Sequence, residues 1–299
     1  MTRRKNLFCY MMVAPALILS LVLGVYPMIE SLRMSFLDYN LTTKGTKGTP
    51  FIGLANYEAI FKDPAFTQAL TNTVLFLVII VTLVVGLGLL VAMALNVNFK
   101  GRGFVRSLVL IPWFIPPVVA SSIWMVLLQP ERSPINQMFL LLGLTNVNIK
   151  FLTEATTVLG PITVPMLAVS AVRVWTGLSF TTVMILAGLQ SIPVEMYEAA
   201  DMDGANVWTK FWYLTLPMLR PVLAVLVTLL SIGSVGHFEV NYIMTGGGPL
   251  NATNILAVKT YTEAFAFFRF GTAAAMSSII LLFTSVIAFF YIREQTRSR

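Results

Sequence analysis

Few side chains in this 299-residue sequence could do chemistry, and those few do not assemble into a catalytic set. His237 is the sole histidine and Cys9 the sole cysteine. A metal site needs several such ligands at one place, and a nucleophile needs a base beside it. His237 has only Glu239, two residues on, as an acidic neighbour, so neither a metal site nor a nucleophile–base pair is expected. The glycine run Gly246–Gly248 does not read as a phosphate cradle. A nucleotide-binding loop continues from its glycines into Lys and then Ser or Thr, whereas Pro249 follows here, and a tight turn is the expected role. Cys9 falls in an apolar run and is expected to pack as a small apolar side chain, with no intrachain disulfide possible.

Two groups of residues remain. In the first, Glu195, Glu198 and Asp201 share one face of a helix at about 100° per residue, and Met196, Ala199 and Ala200 share the adjoining face. An acidic edge beside small side chains suits insertion into a groove on another protein. The second group is polar or aromatic and lies within apolar sequence: Arg173 and Trp175, then His237, Phe238, Glu239, Asn241 and Tyr242. A charge at the centre of a membrane helix costs roughly 2.5–3.5 kcal/mol on insertion scales, so such residues invite a cavity reading. The alternative is structural, with Arg173 snorkelling or bonding carbonyls and Glu239 reaching an interface.

The elements that must carry these residues follow from composition. The chain is 57% hydrophobic and 11% charged, against about 25% charged in a soluble domain. The expected fold is all-α: a polytopic integral membrane bundle of six transmembrane helices within one domain, residues 1–299. Runs long enough to span a bilayer lie at about 7–29, 71–95, 107–128, 160–189, 221–243 and 271–292. Residues 1–29 superficially resemble a signal peptide, and Arg3-Arg4 a twin-arginine one. The apolar run is nevertheless a full span followed by others, so it is expected to stay as the first helix.

An even number of spans puts both termini on one side. The segments on that side carry eleven Lys and Arg, while the opposite loops carry eight in nearly twice the length. By the positive-inside rule the termini are expected in the cytoplasm. The net charge of +7 is then topological, and no nucleic-acid partner is expected. No internal repeat of the kind seen in many secondary transporters is found.

The longest inner loop, residues 190–220, joins the fourth and fifth spans and reads as a helix, a bend at Gly204 and Asn206, and a second short helix ending near Pro217. An interfacial helix on the inner leaflet is the bland alternative, but anionic lipid would repel its acidic edge. Glu198-Ala199-Ala200, three residues, Gly204, nine residues, Leu214, one residue and Leu216-Pro217 resemble the EAA motif of permease subunits in binding-protein-dependent ABC importers. Leu214 stands where that family often has isoleucine. The likeness runs along most of the chain and is closest to the carbohydrate branch, the MalF-like or UgpA-like permeases. Ala14-Pro15, Tyr26-Pro27, the run Phe51 to Tyr57 and Thr245 to Pro249 support it.

The resemblance implies a MetI/MalF-like permease fold in a bacterial inner membrane. It implies partners: two ABC ATPase subunits, a second permease, usually MalG-like, an extracytoplasmic solute-binding protein, and the lipid bilayer. The chain itself would be non-catalytic and without cofactor, with ATP and Mg held by the ATPases. Glu198, Ala199, Ala200, Asp201, Gly204, Leu214 and Pro217 would form the coupling loop, with Glu198 facing a basic residue of the ATPase. Arg173, Trp175, His237, Phe238, Glu239, Asn241 and Tyr242 would be candidates for the pathway of a sugar or polyol, since sugars need hydrogen-bonding groups beside aromatic faces. An arginine there also suits a phosphorylated or sulfonated polyol. An ATP-independent secondary transporter or channel is the alternative, and a membrane-embedded enzyme a further rival. Glu239 as the lone carboxylate inside the spans argues against proton coupling, and no clustered catalytic set can be assembled.

Overall fold

The computed structural model describes residues 2–43 and 48–297, with side chains from 11 to 293 among them. The side chain of Cys9 lies outside the described residues. Nearly all the regular structure is helical. The order is α1 (Thr2–Ser20), a π turn (Leu21–Val25), α2 (Tyr26–Met34), α3 (Ala55–Lys62), α4 (Pro64–Asn96), α5 (Arg102–Phe114), α6 (Pro117–Leu127) and α7 (Pro134–Leu141). A hairpin of β1 (Thr157–Leu159) and β2 (Ile162–Thr163) leads into α8 (Val164–Gln190). Then come α9 (Val194–Met202), α10 (Val207–Lys210), a π turn (Phe211–Thr215), α11 (Leu216–Val235), α12 (Glu239–Thr245), α13 (Leu256–Tyr261), a π turn (Thr262–Ala266) and α14 (Phe270–Arg297).

Among the described residues five single helical stretches are long and apolar enough to cross a membrane, and a sixth appears if the pair α5 and α6 counts as one span. That pair corrects the continuous helix expected over 107–128: the two halves meet at 97°. The cause is local. Ile115 precedes Pro116, whose ring disfavours helical geometry at the preceding residue, and Ile115 is extended at φ −81° and ψ 121°. The fourth span likewise begins at Val164 rather than Gly160, because Gly160-Pro161 is the tip of the antiparallel hairpin that pairs Leu159 with Ile162. Thr163 then caps α8 by accepting from the Met166 amide.

Pro217 does not end the second helix of the 190–220 loop, as sequence reading expected. The helical path runs unbroken from Val207 to Val235. A proline ring clashes with the carbonyl four residues back, which for Pro217 is that of Tyr213. Tyr213 sits in the π turn Phe211–Thr215, where the Leu216 amide reaches back to the Phe211 carbonyl and the wider turn makes room. The same device, Leu21–Val25, precedes Pro27. The fifth span also stops short of Ile243. Gly236 ends α11, and α12 starts afresh at Glu239.

The described residues fall into two compact units, Met1–Phe66 with Lys259–Leu282, and Thr67–Val258 with Phe283–Arg299. The larger unit has two apolar clusters. One gathers Phe76, Ile80, Val84, Met166, Val169 and Val172 between α4 and α8. The other gathers Ala92, Leu95, Ile185, Leu189, Leu219 and Leu226 between α4, α8 and α11. Small residues permit these crossings: a Cβ on Gly88 would stand 2.9 Å from Thr181 Cγ2, and one on Gly188 2.9 Å from Leu219 Cδ2.

In the smaller unit, the helical window Met11–Met34 has no buried residue. The Phe51 to Tyr57 run acts as a staple there. Buried Asn56 donates to the carbonyls of Ser35 (2.8 Å) and Leu37 (2.9 Å), and the Tyr57 hydroxyl meets Ser35 Oγ at 2.8 Å. Beside it lies an ion network. Lys259 Nζ is 2.9 Å from Asp63 Oδ2 and 3.6 Å from Glu263 Oε1, and Arg269 Nε is 3.1 Å from Glu263 Oε2. Lys259 and Glu263 are buried, so each needs its partner.

Two outcomes follow from this network. Burial raises the Asp63 carboxyl, but the hydrogen bonds from Lys259 and the Ala65 amide, with the charges of Lys259 and Arg269, outweigh it and hold its pKa below the ordinary 3.8. The pair's contribution to stability is therefore full above that ordinary value and is lost as pH falls through the lower folded value. The difference in thermal unfolding midpoint between the detergent-solubilised protein and its Asp63→Asn variant should be constant between pH 5 and pH 8 and shrink only on the acid limb. Glu263→Ala leaves Lys259 with Asp63 as its one carboxylate and frees the half-exposed Arg269. It should cost about 1–3 kcal/mol, read as a lower unfolding midpoint, and an unchanged midpoint would contradict the network's role.

Candidate functional site

The 190–220 loop is held in shape by its own backbone and caps. α8 closes at Ser191, whose hydroxyl donates to the Gly188 carbonyl at 2.7 Å, and buried Ile192 anchors the turn into α9. α9 ends in a Schellman arrangement: the Ala205 amide bonds the Ala200 carbonyl at 2.9 Å and the Gly204 amide bonds the Asp201 carbonyl at 3.0 Å. Gly204 lies at φ +76°, a left-handed conformation that glycine alone adopts without strain. Asn206 then caps α10 by accepting from the Thr209 amide at 2.9 Å.

Two contacts tie the arms together. Lys210 Nζ meets Asp201 Oδ1 at 2.6 Å, and the Tyr197 hydroxyl meets Thr215 Oγ1 at 3.0 Å. Beneath them is a cleft of about 250 Å³ lined by Met93, Asn96, Leu189, Tyr197, Lys210 and Thr215, among others. Asp201, expected on the outward acidic edge, is thus engaged within the chain. Glu198 and Ala199 are exposed, Ala200 and Leu214 half-buried, and Pro217 exposed. Glu198 makes no ion pair among the described residues.

The outer surface of the loop is more apolar than its acidic edge suggests. Met202 is 89% exposed, Val207 73%, Trp208 72% and Tyr213 82%. A patch of this kind marks a surface that meets another protein or lipid. The sequence reading did not single out these residues. Their signal was large apolar side chains directly beside the turn residues Gly204 and Asn206, where a solvated loop would be polar.

The second group lies along α8 and around the break after α11. Arg173 has its guanidinium over two glycines, one on α8 and one on α11. A Cβ on Gly177 would be 3.5 Å from Nη1, and one on Gly233 4.0 Å from Nη2. Its Nε is buried without a hydrogen-bond partner, and no carboxylate among the described residues lies within ion-pair distance. The charge of Glu239 reaches it through space. Glu239 Oε2 itself is 3.8 Å from His237 Nδ1, and the Glu239 side chain is 49% exposed.

The remaining candidates divide. Phe238 and Tyr242 stack at 4.7 Å and 22°, as neighbours one turn apart. Trp175 meets Trp124 of α6 edge-on at 5.7 Å. Asn241 is fully buried and donates to the Thr253 carbonyl at 3.2 Å, with its Oδ1 unpartnered. The structure therefore brings Arg173, His237 and Glu239 into one electrostatic neighbourhood, and sets Trp175 and Asn241 in separate packing contacts. The Gly246–Pro249 run is a turn, with Gly246 and Gly247 at positive φ. Buried Asn72 closes the following loop by donating to the carbonyls of Asn251 (2.8 Å) and Asn254 (3.0 Å). Among the described residues no three of His, Cys, Asp or Glu are grouped as metal ligands.

Comparison with known proteins places this geometry in a family. Residues 84–297 match the family model described as binding-protein-dependent transport system inner membrane component. The trehalose/maltose transport system permease protein MalF of Thermococcus litoralis is 34% identical over 281 residues, covering 94% of this chain and 90% of that one. The sulfoquinovosyl glycerol transport system permease protein SmoG of Agrobacterium fabrum is 33% identical over 290 residues, covering 96% and 90%. In fold, a chain of a bacterial alginate ABC transporter, solved in complex with its alginate pentasaccharide-bound periplasmic protein, superposes with a TM-score of 0.80 at 23% identity, covering 98% of this chain and 96% of that one. A bundle of membrane-spanning helices, a capped and outward-facing EAA loop and these relatives lead to one conclusion: the chain belongs to the binding-protein-dependent transport system inner membrane components and is a permease subunit of an ATP-binding-cassette importer.

Proposed function

We propose that this permease carries a sugar or related polyol across a bacterial inner membrane, with both termini cytoplasmic, driven by ATPases that dock on residues 190–220. Two ATPase subunits holding ATP and Mg, a second permease of MalG-like type and an extracytoplasmic binding protein complete the machine, and this chain has no catalytic role of its own. The relatives described above transport trehalose/maltose and sulfoquinovosyl glycerol by name, which supports a carbohydrate cargo. The positive-inside balance supports the orientation.

The observation that carries the reading is the mounting of the loop. The arm that begins at Val207 is continuous with the fifth span to Val235, 29 residues or roughly 43 Å of helix. Displacement of the exposed Glu198 edge and of the Met202 to Trp208 surface by a closing ATPase would move a rigid rod. Its far end is the Gly236 break, beside His237, Glu239 and the Arg173 head. Alternating access then needs only that nucleotide-bound and nucleotide-empty ATPases prefer different positions of that rod. Glu198 is the charge offered to a basic residue of the ATPase, while Asp201 holds Lys210 and stiffens the hinge.

Glu198→Lys reverses the offered charge, and Gly204→Val forces a β-branched residue into positive φ. Both should lower uptake of the cargo into membrane vesicles at least ten-fold while leaving the permease inserted in the membrane. Glu198→Lys should also reduce the ATPase that co-purifies with it. Uptake and ATPase recovery at wild-type levels in both variants would rule out this docking site.

A further inference from the structure

Most polar groups within the helices of the larger unit are satisfied locally. Thr73, Ser121 and Thr228 each donate to the carbonyl one turn back, at 2.7, 2.7 and 2.8 Å. Among the described residues four of the exceptions fall around one charge, while Arg106 Nε, Asn241, Asn254 and the Thr181 and Thr182 hydroxyls are unpartnered elsewhere in the unit. Ser170, three residues before Arg173 on the same face of α8, is buried with its hydroxyl unpartnered. So is Ser234, adjacent to the Gly233 over which the guanidinium lies. His237 Nδ1, one turn further, is also buried without a hydrogen bond.

Arg173 is the odd member of the chain's charges. Lys259, a buried cation, has carboxylates at 2.9 and 3.6 Å. Arg173 is half-buried with its Nε enclosed and has no carboxylate within 4 Å among the described residues, and Glu239 points its Oε2 toward His237 while remaining half exposed. Glycines at 177 and 233 withhold any side chain from the guanidinium. Water could satisfy N–H donors there, but it would leave the charge. Arginine keeps that charge at any working pH, and its planar fork fits an oxyanion in bidentate fashion.

We infer that Arg173 receives an oxyanion carried by the transported sugar or polyol, a phosphate, sulfonate or carboxylate, with the Ser170 and Ser234 hydroxyls as added donors. This rests on the carbohydrate-import reading and narrows it to an acidic cargo. On this account a neutral sugar of the same size leaves the guanidinium unpaired and passes poorly, because a buried polar group left unsatisfied penalises the wrong ligand more than a missing apolar contact does.

The test uses the complete importer, purified through a tag on this chain together with its ATPases, second permease and binding protein. The small molecule released from the binding protein on denaturation is identified by mass spectrometry, and the same compound is then followed into proteoliposomes. The expected compound bears a phosphate, sulfonate or carboxylate. Its uptake should fall at least ten-fold in Arg173→Gln and recover in part in Arg173→Lys, with all subunits still co-purifying. A neutral sugar such as glucose or maltose released in its place would overturn the inference and leave the sugar-importer reading intact. A compound that is neither sugar nor polyol would overturn that reading as well. Unchanged uptake in Arg173→Gln would return Arg173 to packing. Loss of the second permease from the Arg173→Gln complex would assign its counter-ion to that subunit and likewise defeat the inference.

Discussion

A continuous helical path from Val207 to Val235 is the constraint on which the rest of this permease depends. Inside a membrane every backbone group must find a partner within the protein, and a proline both lacks a donor and crowds the carbonyl four residues back. At Pro217 the π turn Phe211–Thr215 makes room, while Pro221 sits within α11 with no π turn of its own. The arm that starts at Val207 and the break that presents His237 are two ends of one element, and α9, which presents Glu198, is tied to that arm across the Gly204 bend by the Lys210–Asp201 and Tyr197–Thr215 contacts. Pro116 shows the other outcome. No π turn precedes it, Ile115 goes extended, and the chain bends by 97°.

The charges follow the same economy of position. Where the smaller unit buries charge, it pairs it: Lys259, Asp63, Glu263 and Arg269 lie within 4 Å of one another in a chain of contacts. Where the larger unit carries Arg173, the guanidinium lies over Gly177 and Gly233, and its Nε is enclosed without a hydrogen-bond partner. A cation without a contact partner is costly in a membrane helix, which is why its surroundings point to function more strongly than an ordinary arginine would.

Much of this was legible in the sequence. Apolar runs of bilayer length located the helices, and the EAA spacing located the loop, because both depend on periodicity within a single element. What was not legible depended on how one turn accommodates the next. Pro217 reads as a stop, and nothing in Phe211 to Thr215 announces a π turn. Gly236 reads as one small residue in an apolar stretch, which puts Glu239 inside the fifth span, whereas it opens α12. Asp201 read as part of an outward acidic edge, since its partner Lys210 lies across a bend whose closure depends on the Gly204 backbone. Asn241 reads as a pathway residue by type, whereas its contact with the Thr253 carbonyl belongs to a loop that folds back from beyond Pro249.

The central claim is that α9 and the arm after it form the seat of the motor. Cross-linking tests it directly: a single cysteine at Ala199→Cys, in a Cys9→Ser background, carries a thiol-attached photo-activatable cross-linker, which inserts into C–H bonds of its neighbour, in membranes holding the assembled importer. A cross-link to the ATPase subunit whose yield changes between nucleotide-free and ATP-bound states is the predicted result. A cross-link to lipid-facing or extracytoplasmic partners, or none to the ATPase in either state, would contradict it.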